Sequence, residues 1–208
     1  MEWGSIIGSI IVALMAAIGL LLALRKRKKS GPKSLEELFN HLRGMGIRAS
    51  LAEKGVEEEK VGVTRGMSQR SEGVIRVEGR HVDFINVVST ASQYGVYIYI
   101  EFLVRTPGMV GRQQRRKTRL VKKKGMGAGV RVADVGWRGD DYLSRELEFD
   151  YSLSDKLLQA EYDKLKNGIL IIPEPKYEYA RIRITYLLLS HELFEAIDII
   201  ARHIKSGW

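Results

Sequence analysis

From Gly4 to Leu24 the chain runs for 21 residues without a charge, and no other feature constrains it so strongly. As a helix rising about 1.5 Å per residue this stretch measures about 32 Å, the thickness of a hydrocarbon core of roughly 30 Å. A signal peptide carries its positive charge ahead of a shorter apolar run. Here Glu2 precedes the run, and Arg25, Lys26, Arg27, Lys28 and Lys29 follow it. Residues 4–24 are therefore read as one transmembrane helix, with a short external segment 1–3 before it and a basic juxtamembrane linker 25–33 after it. Lys and Arg beside a membrane helix stay on the cytoplasmic side. That predicts a single-pass protein of the cell membrane, N-terminus outside, with residues 34–208 as a cytoplasmic domain. Small residues recur on one face of the helix at Ser5, Ser9, Ala13 and Ala17, and Gly4 with Gly8 forms a GxxxG pair. Small side chains let helix backbones approach closely in lipid, so this face is a candidate for a homodimer or a partner membrane helix.

The chain of 208 residues carries a formal net charge of +9 and no cysteine, which excludes disulfide frameworks and thiolate metal or redox sites. Its mean hydropathy of -0.15 averages an apolar segment with a polar domain. The charge is segregated as well. Six cations lie in residues 25–33 and eight more in residues 112–124, and together they outweigh a remainder that is mildly acidic.

Past the linker, Ser34 reads as a helix N-cap with Glu37 at the capping-box spacing, and Gly44 and Gly46 end the helix. Residues 52–72 read mostly as loop, with a short strand at Val61–Val63. Val, Ile, Tyr and Phe then predict strands at Val74–Val77, His81–Val88 and Gly95–Arg105, with a turn at Glu78-Gly79-Arg80 and a polar connection at Ser89–Gln93. In the third strand Val96, Ile98, Ile100 and Phe102 alternate with Tyr97, Tyr99, Glu101 and Leu103. Further strands are expected at Val130–Val135 and Arg145–Tyr151, a helix at Ser154–Lys166 closed by Asn167-Gly168, and a strand at Ile169–Ile172. Pro173-Glu174-Pro175 is expected to break the chain before a long strand at Tyr177–Leu188. Ser190 caps a last helix ending at Gly207. The fold class is α+β: an antiparallel sheet, most simply a meander, with helices packed on one face.

The membrane helix, the basic stop, a short helix ending in Gly44-Met45-Gly46-Ile47, and the run Gly73 to Val82 before a Tyr/Val/Ile strand resemble a loose group of uncharacterised prokaryotic membrane-anchored α+β domains. The resemblance implies the anchored layout and no activity, so no site residue follows from it.

Chemistry is harder to find. The histidines His41, His81, His191 and His203 have no metal-ligand spacing, and His191 with Glu195 reads as a solvated pair. Gly125 to Gly129 follows basic residues and opens a strand, whereas a phosphate loop opens a helix. Asp140-Asp141 is the best carboxylate pair, yet adjacent residues in a turn point apart. No cofactor is expected, and the chain reads as non-enzymatic.

One feature stands out: Arg112, Arg115, Arg116, Lys117, Arg119, Lys122, Lys123 and Lys124 put eight cations in thirteen residues. They sit in a basic loop, residues 106–128, expected to be a long mobile loop or an extended hairpin. Concentrated like charge is relieved by an anionic partner. For a tethered domain the nearest is an anionic lipid headgroup, and an acidic protein would serve equally. The expected function is a membrane-anchored interaction or scaffold module. The alternatives are a membrane-tethered nucleic-acid binder, disfavoured because residues 106–128 contain no aromatics, and an enzyme with an unrecognised site.

Overall fold

The computed structural model describes residues 34–52, 69–107, 115–123, 134–162, 165 and 167–208. The apolar segment 4–24 and the basic linker lie outside the described residues, as does Val61–Val63. No helix among the described residues is long and apolar enough to cross a membrane.

Eight strands form one sheet: β1 (Ala49–Leu51), β2 (Gln69–Val77), β3 (Phe84–Ser92), β4 (Gly95–Arg105), β5 (Thr118–Lys123), β6 (Asp134–Arg138), β7 (Leu170–Glu174) and β8 (Tyr179–Thr185). Four helices accompany them: α1 (34–44), α2 (Asp141–Phe149), α3 (Tyr151–Gln159) and α4 (His191–Gly207). The class is α+β, and every strand pairing is antiparallel. The order β1-β2-β3-β4-β8-β7-β5-β6 is a meander only as far as β4; the β5–β6 hairpin then lies at the far edge, and the chain returns to fill the middle with β7 and β8.

The period-2 pattern decides which face is covered. Ile98, Ile100, Phe102 and Val104 of β4 and Ala180, Ile182 and Ile184 of β8 join Leu38, Leu42, Leu143, Leu147, Leu153, Leu157 and the apolar stripe of α4 in the main core. All four helices thus pack on one face. The other face holds a smaller cluster of Val74, Phe84 and Leu103, to which no helical residue contributes.

Turn chemistry sets several boundaries. At the end of α1 the N–H of Ile47 bonds to Leu42 O and that of Gly46 to Arg43 O, with Gly46 at φ 76°, a left-handed closure that only glycine adopts cheaply. Residue 34 is already helical, so Ser34 lies within α1. Ser190 caps α4 as expected, its side chain accepting from Leu193 N.

Other expectations are corrected. Arg145–Tyr151 is helix: Asp140 and Asp150 each cap a helix through the N–H three residues on, so α2 and α3 follow in direct succession. Leu143 with Leu147 and Leu153 with Leu157 bury at helical spacing, while Phe149 and Tyr151, which had mimicked a strand face, are 70% and 82% exposed. The helix expected to reach Lys166 ends at Gln159, followed by Glu161 at φ 51°. β3 starts three residues later than expected and runs through Ser89 to Ser92, leaving a two-residue turn at Gln93-Tyr94. The strand expected at Val130–Val135 is observed from Asp134 to Arg138. Pro173 and Glu174 belong to β7, and the break comes at Pro175, which opens a 3-10 turn before a β8 shorter than expected.

Candidate functional site

The sheet face without helices concentrates the charge. Strand register places Arg138, Arg119, Leu170, Arg183, Glu101 and Asn86 in one line across β6, β5, β7, β8, β4 and β3. At its centre Glu101 is 2% exposed and accepts from Arg181 at 2.8 Å and from Arg183 at 2.5 and 2.9 Å. Glu174, also buried, stands 3.7 Å from Arg181. Two carboxylates thus answer two guanidiniums, as burial of charge requires. Arg183 also lies 5.5 Å over the Tyr99 ring, while Arg76 and Arg105 flank Phe84 at 5.9 and 5.1 Å.

Toward β6 the compensation stops. Arg119 and Arg138 are register partners on adjacent strands, both exposed, and neither forms an ion pair among the described residues. Like charges directly opposite each other in a sheet repel, and an anion bound between them would reverse the sign of that contact.

The eight cations of the predicted contact separate into different roles. Arg115 turns inward: Nη2 donates to Gly207 O at 3.2 Å, Nη1 stands 3.8 Å from Asp140, and the guanidinium lies 5.9 Å over Tyr142. It thereby ties the end of α4 to the start of α2. Arg116 and Lys117 are exposed beside Arg119. Lys122 and Lys123 are placed by their backbone in β5, so this part of the run is an extended hairpin with β6. Arg112 and Lys124 lie outside the described residues. So do the topology-determining Arg25, Lys26, Arg27, Lys28 and Lys29 and the helix-association residues Gly4, Gly8, Ser5, Ser9, Ala13 and Ala17.

The carboxylate pair has a structural explanation. Asp140 caps α2, accepts from Leu143 N at 3.1 Å and Arg116 N at 3.3 Å, and is nearly buried, while Asp141 is exposed in the first turn. Asp150 joins α3 to α4 through His203 at 2.7 Å and Arg202 at 3.0 Å. Burial alone would raise the Asp150 carboxyl; the hydrogen bonds from His203 and Leu153 N–H and the charges of His203 and Arg202 outweigh it and hold the group below its ordinary 3.8. His191, about half exposed, stands 3.7 Å from a mostly buried Glu195, whose closer partner is Arg80 at 2.9 Å. Among the described residues no cluster of three or more His, Asp or Glu side chains could hold a metal ion.

Comparison with protein-family models, curated proteins and solved structures found no match. The face is therefore read from its own geometry. The alternation of β4 is legible in the sequence, but nothing in one dimension ties Glu101 to Arg181 and Arg183, 80 and 82 positions away. Arg138 was missed altogether, because it becomes significant only through its pairing with Arg119.

Proposed function

We propose that the chain is a non-enzymatic, single-pass membrane protein whose cytoplasmic α+β domain is an interaction module that meets anionic lipid headgroups through its cationic strands. One observation carries the reading: Arg119 and Arg138 face each other, exposed and without a counter-ion among the described residues, on the two strands at one edge of the sheet. A phosphate between two guanidiniums gains charge-assisted hydrogen bonds and removes the repulsion. The uncharged run 4–24 and the cations behind it supply the anchor, which holds the domain near a surface where each Lys or Arg is worth about 1 kcal/mol. The small-residue face around Ser9 and Ala13 adds a route to a homodimer.

The test is flotation of residues 34–208, which contain the core formed by the described residues, with phosphatidylserine vesicles. Binding at low salt that weakens as salt rises, and weakens further in Arg119→Glu/Arg138→Glu, is the expected result. Absence of binding, or binding indifferent to both substitutions, rejects the proposal. A second reading, single-stranded nucleic acid, draws on Tyr97 and Tyr99, which share the face with these arginines and offer rings on which bases stack. Tight retention of an oligonucleotide by the same fragment, without vesicle binding, would favour it.

A further inference from the structure

The β3–β4 hairpin ends in a group of exposed apolar side chains that the core does not use: Tyr94 is 82% exposed, Val96 44% and Tyr97 46%. Neither tyrosine hydroxyl has a hydrogen-bond partner among the described residues. The turn is held firmly. Ser92 Oγ accepts from Tyr94 N–H at 3.1 Å and donates to Gly95 O at 3.2 Å, and Gly95 takes φ 134°, a conformation that side chains oppose. A preordered tip loses little conformational entropy when it docks. The stretch from Phe84 to Ile100, which takes in β3, the turn and the first half of β4, is also free of charge, 17 residues in a chain in which 28% are charged. Phe84 to Val88 and Ile100 are buried, but residues 89–99 are partly or largely exposed, where sheet positions facing water are ordinarily polar or charged.

Position supplies the partner. Tyr186 donates its N–H to Ile98 O and its hydroxyl to Ser34 O, so residue 34, where the linker joins the domain, lies toward the strand ends from which this tip projects. The nine residues 25–33 reach at most about 30 Å from Leu24. β5 runs toward the same end of the sheet: Arg119 is level with Arg183 and Glu101, and Lys122 and Lys123 lie further along. Cations beside tyrosines are the composition of a membrane interface, where the ring sits among the headgroups and its hydroxyl stays hydrated.

We propose that the β3–β4 tip, Tyr94 with Val96 and Tyr97, is a second membrane contact, an interfacial anchor that inserts among the headgroups of the bilayer holding residues 4–24. The proposal rests on the membrane reading above and adds a site to it: the tip fixes which edge of the domain faces the lipid, and the β5–β6 cations lean onto the surface beside it.

The chain contains no cysteine, so single labels report unambiguously. The full chain carrying Tyr94→Cys, Tyr97→Cys or, as a control on the exposed side of α3, Asp155→Cys is labelled with an environment-sensitive dye. It is then reconstituted in vesicles of phosphatidylcholine and phosphatidylserine. The expected result is blue-shifted emission at 94 and 97, quenched by nitroxide-labelled lipid, with water-like emission at 155. Water-like emission at 94 and 97 in protein that resists alkaline carbonate extraction overturns the tip and leaves the anchor standing. Release of the chain by carbonate overturns the membrane reading itself. A blue shift that vanishes on dilution, or that requires an added oligonucleotide, assigns the tip to a second copy or to nucleic acid and likewise overturns the proposal.

Discussion

Glu101 receives guanidinium donors from both Arg181 and Arg183 while almost wholly buried. Removing its charge takes from Arg183 its ion-pair partner among the described residues and from Arg181 the closer of its two carboxylates, Glu174 standing farther off at 3.7 Å. Breaking one side of a buried pair costs about 3–5 kcal/mol, so Glu101→Gln should lower the urea midpoint by that equivalent, whereas His191→Gln, at a half-exposed residue whose partner Glu195 keeps Arg80, should scarcely move it. Two residues set pH dependence in opposite directions. Burial, helped by Glu37, pushes the Tyr186 hydroxyl up to about 12 from 10.0. A raised folded value means that its contribution is complete below pH 10 and is lost as pH climbs toward 12. Tyr186→Phe should flatten that alkaline decline while costing about 1 kcal/mol near neutrality through the lost bond to Ser34 O. Asp150 works the other way, because its folded value is depressed: its contribution is present above its ordinary 3.8 and fades below it as the pH falls. Asp150→Asn should remove that part of the acid decline in thermal melts between pH 4 and pH 2.

The α2–α3 pair shows how an element is misread and what decides it. Residues 145–151 alternate apolar and acidic, a strand pattern in one dimension, but the chain enters them through an aspartate cap and leaves through another. A cap satisfies amide groups that a strand would have to pair laterally, and buried leucines four apart then outweigh the alternation. Gly139 makes this entry possible. It holds φ 146°, and a β-carbon there would collide with the backbone of Lys117 and Thr118, at the start of β5. Gly139→Ala should destabilise the domain by about 1–3 kcal/mol through clash and backbone strain. Asp140→Ala should lose about 1–2 kcal/mol through the missing cap, and Asp140→Asn should recover most of it, as read by chemical denaturation. The β-strands were more legible. β4 was bounded correctly at both ends because its alternation begins just after Gly95 and the charged Arg105 closes it, although Ile100 to Val104 are buried on both faces.

At the scale of the molecule, the sheet is closed by strands distant in sequence. β4 pairs with β8, about eighty residues on, and the β5–β6 hairpin is joined to the rest through β7. Closing such distant pairings costs loop entropy before contacts reward it, so residues 34–208 should refold in milliseconds to seconds, measurable by stopped-flow fluorescence. The α+β class and the segregation of charge were legible from the sequence alone, as was an uncharged run long enough to cross a bilayer. So were the covered face of β4 and the capped last helix, because periodicity, caps and solvation act over a few residues. Which charges end up satisfied was decided by the tertiary structure. Register across the sheet gives Arg183 a buried carboxylate and sets Arg119 against another arginine, and packing folds Arg115 onto Asp140 and the end of α4. An electrostatic interaction depends on distance in space, and strand order sets that distance where sequence separation does not.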